Sequence, residues 1–291
     1  MKAAIWAAAG ALAALVLFAL GATFNAWRRL KGRHIPRRTL TEHRAFIEPY
    51  LAVSYPPGDG PFPAVLLFHG CGGVRRVTHA YARDAVRAGA AAIIVDSLAP
   101  RRISYEQALA RVCTGRQLWG RERAADVAAA LDIVRADPKI DSGRLAIAAW
   151  SHGAWSVLDA MALARTGQPP DGILDAPEAP FAGVRAVMAI YPFLSFPALV
   201  RRHDWLDTIP VEAVLVENDT MARETDAAEV FERMKQHGAP VTWSTLGGVT
   251  HGFDEPDHYP GSQLCYDDEA AAQTRARFTD FLRRRIDARP E

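Results

Sequence analysis

Residues 145–154 read Leu-Ala-Ile-Ala-Ala-Trp-Ser-His-Gly-Ala, an apolar run that stops at Ser151 and meets a glycine two residues later. A buried strand that turns sharply into a helix holds the residue at the turn in a strained, exposed position. Its neighbours must be small so that the backbone can fold back on itself. Ala149 and Gly153 are those small neighbours, and Ser151 is the candidate nucleophile. The usual pattern has glycine at both flanks, so Ala149 is a departure. Taken alone, a serine between a strand and a helix is common and does not establish chemistry.

A serine hydroxyl needs a base to take its proton, and the base needs an acid to orient it. Both occur downstream. Val211–Val216 is a strand-like run ending in Glu217-Asn218-Asp219, and Val241–Leu246 is another that runs into Gly247-Gly248-Val249-Thr250-His251-Gly252-Phe253. Ser151, Asp219 and His251 therefore follow the chain order nucleophile, acid, histidine. Asp96, at the end of an earlier strand, and Glu217 are alternative orienting acids. Asp254 and His258 read as loop residues.

Pro63–Phe68 is a further apolar strand, followed directly by His69-Gly70-Cys71-Gly72-Gly73. A glycine-rich turn at this place aims backbone N–H groups at the negative oxygen of a tetrahedral intermediate. The expected oxyanion donors are the backbone amides of Cys71 and His152, with His69 bracing the turn. A plain tight turn would use the same glycines. Four such segments, each at the carboxyl end of an expected strand, are hard to obtain by chance.

Between the motifs, strands and helices alternate. After a β-rich lead-in over 44–53, strands are expected at 64–68, 91–96, 144–150, 183–190, 211–216 and 241–246. Helices are expected at 78–88, 121–136, 152–165, 223–237 and 267–286. This pattern predicts an α/β fold with a mostly parallel central sheet and helices on both faces. In such a sheet the loops at the carboxyl ends of the strands carry the site.

These segments together resemble the dienelactone hydrolase family of the α/β-hydrolase superfamily. The resemblance rests on the 69–73 turn, Val95-Asp96-Ser97, Asp141-Ser142-Gly143-Arg144, the elbow at Ser151, Glu217-Asn218-Asp219-Thr220 and His251-Gly252-Phe253-Asp254, and it covers roughly residues 45 to 287. It implies a serine hydrolase that cleaves a carboxylic ester or lactone through an acyl-enzyme, with a small-molecule substrate and no cofactor. The namesake enzymes carry cysteine where this chain has Ser151, which puts lactone specificity in doubt. Two other readings compete: a non-catalytic, membrane-tethered binding protein of the same fold, and a peptidase-like amide hydrolase. The latter usually needs a large extra domain or lid, for which 291 residues leave little room.

A formal net charge of +1 gives no sign of a polyanionic partner, so nucleic acid is not expected. No metal motif such as His-Glu-x-x-His occurs. Three cysteines, Cys71, Cys113 and Cys265, lack metal or framework spacing. Cys71 and Cys113 either meet near the site, which would favour an exported domain, or remain small buried thiols. The substrate walls are less legible. Arg101 and Arg102 either hold a substrate carboxylate through paired hydrogen bonds or are solvated at the surface; 112–119 lines a pocket, 169–181 forms a lid or side wall, and Tyr105, Trp150, Trp155, Tyr191 and Phe193 line an apolar pocket or pack in the core.

Ala3 to Phe24 contains no charged residue over 22 positions, a helix of roughly 33 Å, long enough to cross a bilayer. The expected organisation is a transmembrane anchor or signal segment at 1–26, a basic linker at 27–44 and a catalytic domain at 45–291. An uncleaved, single-pass anchor in a bacterial-type inner membrane fits better than a cleaved signal peptide, because the small-residue cleavage candidates near Gly21–Ala26 are poor. Arg28, Arg29, Lys31, Arg33, Arg37 and Arg38 follow the apolar run. This bias places the catalytic domain on the cytoplasmic side, with the periplasmic side open as the alternative. Oligomeric state is not legible.

Overall fold

Every residue of strand β2 (Phe62–Phe68) is buried. Its side chains divide by parity: Ala64, Leu66 and Phe68 enter one apolar cluster, Val65 and Leu67 another. A strand covered on both faces reads as a continuous hydrophobic run, and its period of two deals alternate side chains to the two layers. The computed structural model describes residues 2–30, 35–175, 178–258 and 262–288.

Seven strands form one sheet in the order β1-β3-β2-β4-β5-β6-β7. The others are β1 (Leu51–Ser54), β3 (Ala91–Val95), β4 (Ile140–Trp150), β5 (Val184–Ile190), β6 (Val211–Val216) and β7 (Val241–Leu246). Pairing is parallel throughout except at the edge, where β1 runs antiparallel to β3. Helices α2 (Leu40–Ile47), α5 (Gly120–Arg135), α6 (His152–Arg165) and α7 (Glu224–Gln236) contribute to one apolar layer, while α3 (Arg76–Arg87) and α8 (Asp268–Ile286) contribute to the other. The expected α/β architecture is therefore present, and the α6 boundaries coincide with the expected ones.

The lead-in differs from expectation. In place of a β-rich segment from Arg44, the chain forms α2 and reaches a strand only at Leu51. Thr39 and Glu42 make a reciprocal capping box that starts this helix. The α2 side chains His43 and Ile47 are buried, and His43 Nε2 lies 2.8 Å from Asp126 on α5. The compact unit accordingly begins at Arg38, inside the expected linker, where Arg38 bridges to Ile173.

The preceding segment forms a compact unit of its own. Its helix α1 (Lys2–Leu30) exposes Trp6, Leu12, Leu15, Leu17, Phe18, Leu20 and Phe24. It continues past the expected end at residue 26, through Arg28. Among the described residues no helix is long and apolar enough to cross a membrane, so the transmembrane expectation finds no support in the structure. Residues 31–34 of the expected linker and 176–177 of the expected side wall lie outside the described residues.

Candidate active site

From β2 the chain winds outward to β3, then returns across β2 to lay down β4 on its other side. Between β2 and β4 the winding reverses, which leaves a crevice at their carboxyl ends. The turn after β2 and the serine after β4 meet there: a methyl group added at Gly70 would touch Ser151 Cβ at 3.8 Å.

Ser151 adopts φ 48° and ψ −112° between β4 and α6. A positive φ in a residue with a side chain costs about 1–3 kcal/mol and persists only where the surroundings enforce it. Here Ser151 N donates to Ile190 O at 2.9 Å, and Ser151 O accepts from Trp155 N at 3.1 Å. Gly153 allows the helix to start so close to β2, since a Cβ there would fall on the carbonyl oxygen of Phe68.

The structure brings the three expected side chains together. Ser151 Oγ lies 2.9 Å from His251 Nε2, and His251 Nδ1 lies 2.7 Å from Asp219 Oδ2. The second oxygen of Asp219 accepts from the amides of Met221 and Ala222, at 2.8 and 2.9 Å. That loop grips the carboxylate so that one oxygen faces the imidazole. All three side chains are buried, which strengthens the hydrogen bonds between them.

Asp96 is not part of this chain: its Oδ1 accepts from Leu98 N and Ala99 N. Arg101 is committed elsewhere as well, forming paired 2.9 Å bonds with buried Asp126. Burial alone would raise the Asp126 carboxyl, but Arg101 and His43 outweigh it and hold it well below the usual carboxylate range.

His152, the first residue of α6, has no carbonyl one turn earlier in the helix to receive its N–H. Cys71 sits in the turn closed by Gly73 N on Gly70 O at 3.4 Å. Behind both lies Arg123 of α5, fully buried. Its Nη1 donates to His69 O at 2.8 Å and to His152 Nδ1 at 3.2 Å, and its Nε donates to Ser97 Oγ at 2.8 Å. His69 braces the turn as expected, with Nδ1 on Gly70 O at 2.6 Å and Nε2 accepting from Ser97 N at 3.1 Å. Burial, together with the Arg123 charge, keeps His69 well below its ordinary pKa and lowers His152 to about 3; both rings are neutral near pH 7.

Cys71 and Cys113 form a disulfide. Cys113 follows the short helix α4 (Tyr105–Gln107) and its π-helical continuation, Ala108–Val112. The bond ties the turn that carries one expected oxyanion amide to the loop over the crevice.

Asp254, read from the sequence as a loop residue, is buried among aromatics. It accepts from Tyr191 Oη at 2.5 Å, Tyr81 Oη at 2.9 Å and Trp150 Nε1 at 3.1 Å. Burial raises its carboxyl against the pull of these donors. The Tyr191 ring lies against His251 with centroids 4.6 Å apart. The histidine loop is thus pinned three residues beyond the imidazole.

Two cavities open on the serine. One of about 380 Å³ has Trp119, Trp155, Phe193 and Phe196 in its walls; the other, of about 160 Å³, has Arg75, Thr78, Glu255 and His258. Cys71, Cys113, Ser151, Met221 and His251 line both. Among the described residues no group of three or more His, Cys, Asp or Glu is placed to hold a metal ion.

The dienelactone hydrolase family matches residues 173–286, a segment that includes Asp219 and His251 and begins after Ser151. No curated protein matches the chain. Among solved structures, esterase 2 of Thermogutta terrifontis phosphorylated by paraoxon is similar at 16% identity and a TM-score of 0.59, covering 80% of this chain and 88% of its own. A dienelactone hydrolase-like promiscuous phosphotriesterase from metagenomic libraries aligns at 16% identity and a TM-score of 0.58, covering 81% and 92%. A thermostable carboxylesterase cloned from a metagenomic library aligns at 18% identity and 0.55, covering 81% and 84%. At these identities the likeness shows the α/β-hydrolase fold. Together with the family match it supports a hydrolase acting on ester bonds.

Proposed function

We propose that the chain is a serine hydrolase that cleaves a carboxylic ester or lactone through an acyl-enzyme. The hydrogen-bonded series Ser151, His251, Asp219 at the winding reversal carries this reading. His251 Nε2 takes the Ser151 proton as Oγ attacks the carbonyl carbon, and Asp219 holds the imidazole with its proton on Nδ1. The amides of Cys71 and His152 receive the oxyanion. Collapse breaks the bond to the alkoxide, which leaves with the proton from His251. Water then repeats the sequence on the acyl-enzyme and frees Ser151. A binding protein of this fold would have no use for the strained φ at Ser151, which supports catalysis over a scaffold role.

The test is labelling of the purified full-length protein with a fluorophosphonate probe, alongside Ser151→Ala, with the modified peptide identified by mass spectrometry. Labelling at Ser151 that is lost in the variant is expected. A folded wild type that does not label would refute the reading.

The uncharged run 3–24 and the exposed apolar side chains of α1 support attachment of this helix to a membrane. For the side of that membrane, the basic residues after the run favour the cytoplasm, whereas the disulfide favours an oxidising compartment. The disulfide weighs more, because a stable cross-link in the cytoplasm is rare while the charge rule is a bias; the proposed location is therefore the periplasmic face. Membrane fractionation and thiol alkylation of the intact protein in cells check both points. A soluble protein, or one with both thiols free, would reverse the respective assignment.

A further inference from the structure

Asp159 is wholly buried on α6, one turn beyond Trp155, and stands outside the hydrogen-bonded series at Ser151. Its two oxygens are divided between two parts of the chain. Oδ2 accepts from Trp155 Nε1 at 2.7 Å, while Oδ1 accepts from the backbone amides of Leu199 at 2.8 Å and Val200 at 3.3 Å. Trp155 belongs to α6, whereas Leu199 and Val200 begin the short 3-10 turn Leu199–Arg201 in the loop after β5. One carboxyl group thus joins a helix side chain to the backbone of a separate loop.

Both of these parts supply walls to the larger cavity. Trp155 lines it, and so do Phe193, Phe196 and Pro197 from the loop, while Asp159 itself does not. Its volume of about 380 Å³ falls in the range of small-molecule sites. The loop is tethered to α6 at two places: Phe193 N donates to Ser151 O at 3.3 Å, and the amides of Leu199 and Val200 donate to Asp159. At about 1.5 Å per residue these anchors stand roughly 12 Å apart along the helix, and Phe196 and Pro197 fall between them in sequence. Trp155 is confined on its other side. A Cβ at Gly120 would fall 2.3 Å from Trp155 Nε1 and Cδ1, so the indole rests on bare backbone, and its ring centroid lies 5.2 Å from that of Phe193.

Without the carboxylate, an indole N–H and two backbone amides would be left buried with no acceptor. That is costly, and a shift of the ring or of the turn is the way to relieve it. Either shift moves the aromatic wall. The acyl group of a bound ester stays on Ser151 beside His152 and Trp155 at the start of α6, both of which line this cavity. Resting on the serine-hydrolase reading above, we propose that Asp159 is a positioning residue for acyl specificity: by gripping Trp155 and the 199–200 turn at once it fixes the wall of the larger cavity, and with it a preference for esters of a bulky apolar acid.

The test measures kcat and KM of the full-length enzyme by pH-stat titration on ethyl hexanoate and ethyl acetate, for the wild type and for Asp159→Asn. The wild type should favour the hexanoate in kcat/KM by at least about tenfold. Asp159→Asn keeps the size of the side chain but turns one acceptor into a donor that faces another donor. It should lower the ratio of hexanoate to acetate by about three- to tenfold, chiefly through a higher KM for the hexanoate. A role confined to stability would reduce the active fraction, and so kcat, equally for both esters without moving KM. Should Asp159→Asn fail to fold, Asp159→Leu, an apolar residue of similar size, carries the same expectation. A wild type without the hexanoate preference, or a folded variant whose ratio stays within twofold of the wild type, overturns the proposal. Fluorophosphonate labelling in the same preparations separates the two levels: with Ser151 labelled the hydrolase reading stands even where the role of Asp159 falls, and without labelling of a folded wild type both fall.

Discussion

Arg123 Nη1 stands 3.2 Å from His152 Nδ1 inside the core, directly behind the expected oxyanion amides. The same nitrogen holds His69 O, so one side chain on α5 fastens the turn after β2 to the first residue of α6. Burial lowers the Arg123 pKa to about 10, which still leaves the guanidinium charged at neutral pH. Replacing it by methionine strands the His69 carbonyl, the Ser97 hydroxyl and the His152 ring without their donor. Arg123→Met is expected to cost about 3–5 kcal/mol of stability, read as a lower denaturant midpoint. Activity should fall as well, because the two amides lose their common anchor.

The neutral state of His152 gives acid sensitivity a definite sign. Its ring titrates near 6.5 in an unfolded chain and at about 3 in the fold. Between those values the unfolded state binds a proton that the folded state refuses. Stability from this group is therefore complete above about pH 6.5 and is lost as pH falls toward 3. Melting temperatures measured across that range should decline with falling pH, and His152→Gln should flatten the decline.

Strain at Ser151 predicts a variant that is dead yet more stable. Glycine accepts φ 48° without a penalty, so Ser151→Gly should gain about 1 kcal/mol over the wild type while losing several orders of magnitude in esterase rate. Ser151→Ala, which keeps a Cβ, should lose the activity without that gain. Thermal melts and initial rates on the same samples make the comparison.

The disulfide closes a loop with a sequence separation of 42 residues. Such a cross-link restricts the unfolded chain by about 2–4 kcal/mol. Cys113→Ala should lower the denaturant midpoint correspondingly, and reductant should shift the wild type toward the variant while leaving the variant unchanged.

Much of this was legible because the relevant signals are local. The runs at 145–150, 211–216 and 241–246 end one, three and five residues before the three side chains that meet, and strand boundaries set by apolar runs survive folding because burial creates them. Asp254 was not legible: its donors Tyr81, Trp150 and Tyr191 lie 173, 104 and 63 residues away in sequence. Nothing near Asp254 marks it as buried. Arg123 was hidden in an alanine-rich helix whose pattern says only that the helix packs. The start of α2 is different, since the Thr39 and Glu42 spacing of a capping box was present and was outweighed by the β-branched and aromatic character of the residues after it. The Cys71–Cys113 pair depends on where the loop after α4 folds, which residue spacing does not encode.

The Cys71–Cys113 bridge borders both chambers that open on Ser151, so a covalent cross-link belongs to the walls of each. Trp119 and Phe196 line only the larger chamber and Arg75 and Glu255 only the smaller, whereas the bridge, Met221 and His251 border both. A change at Trp119 or Phe196 therefore alters the walls of one chamber and leaves those of the other in place.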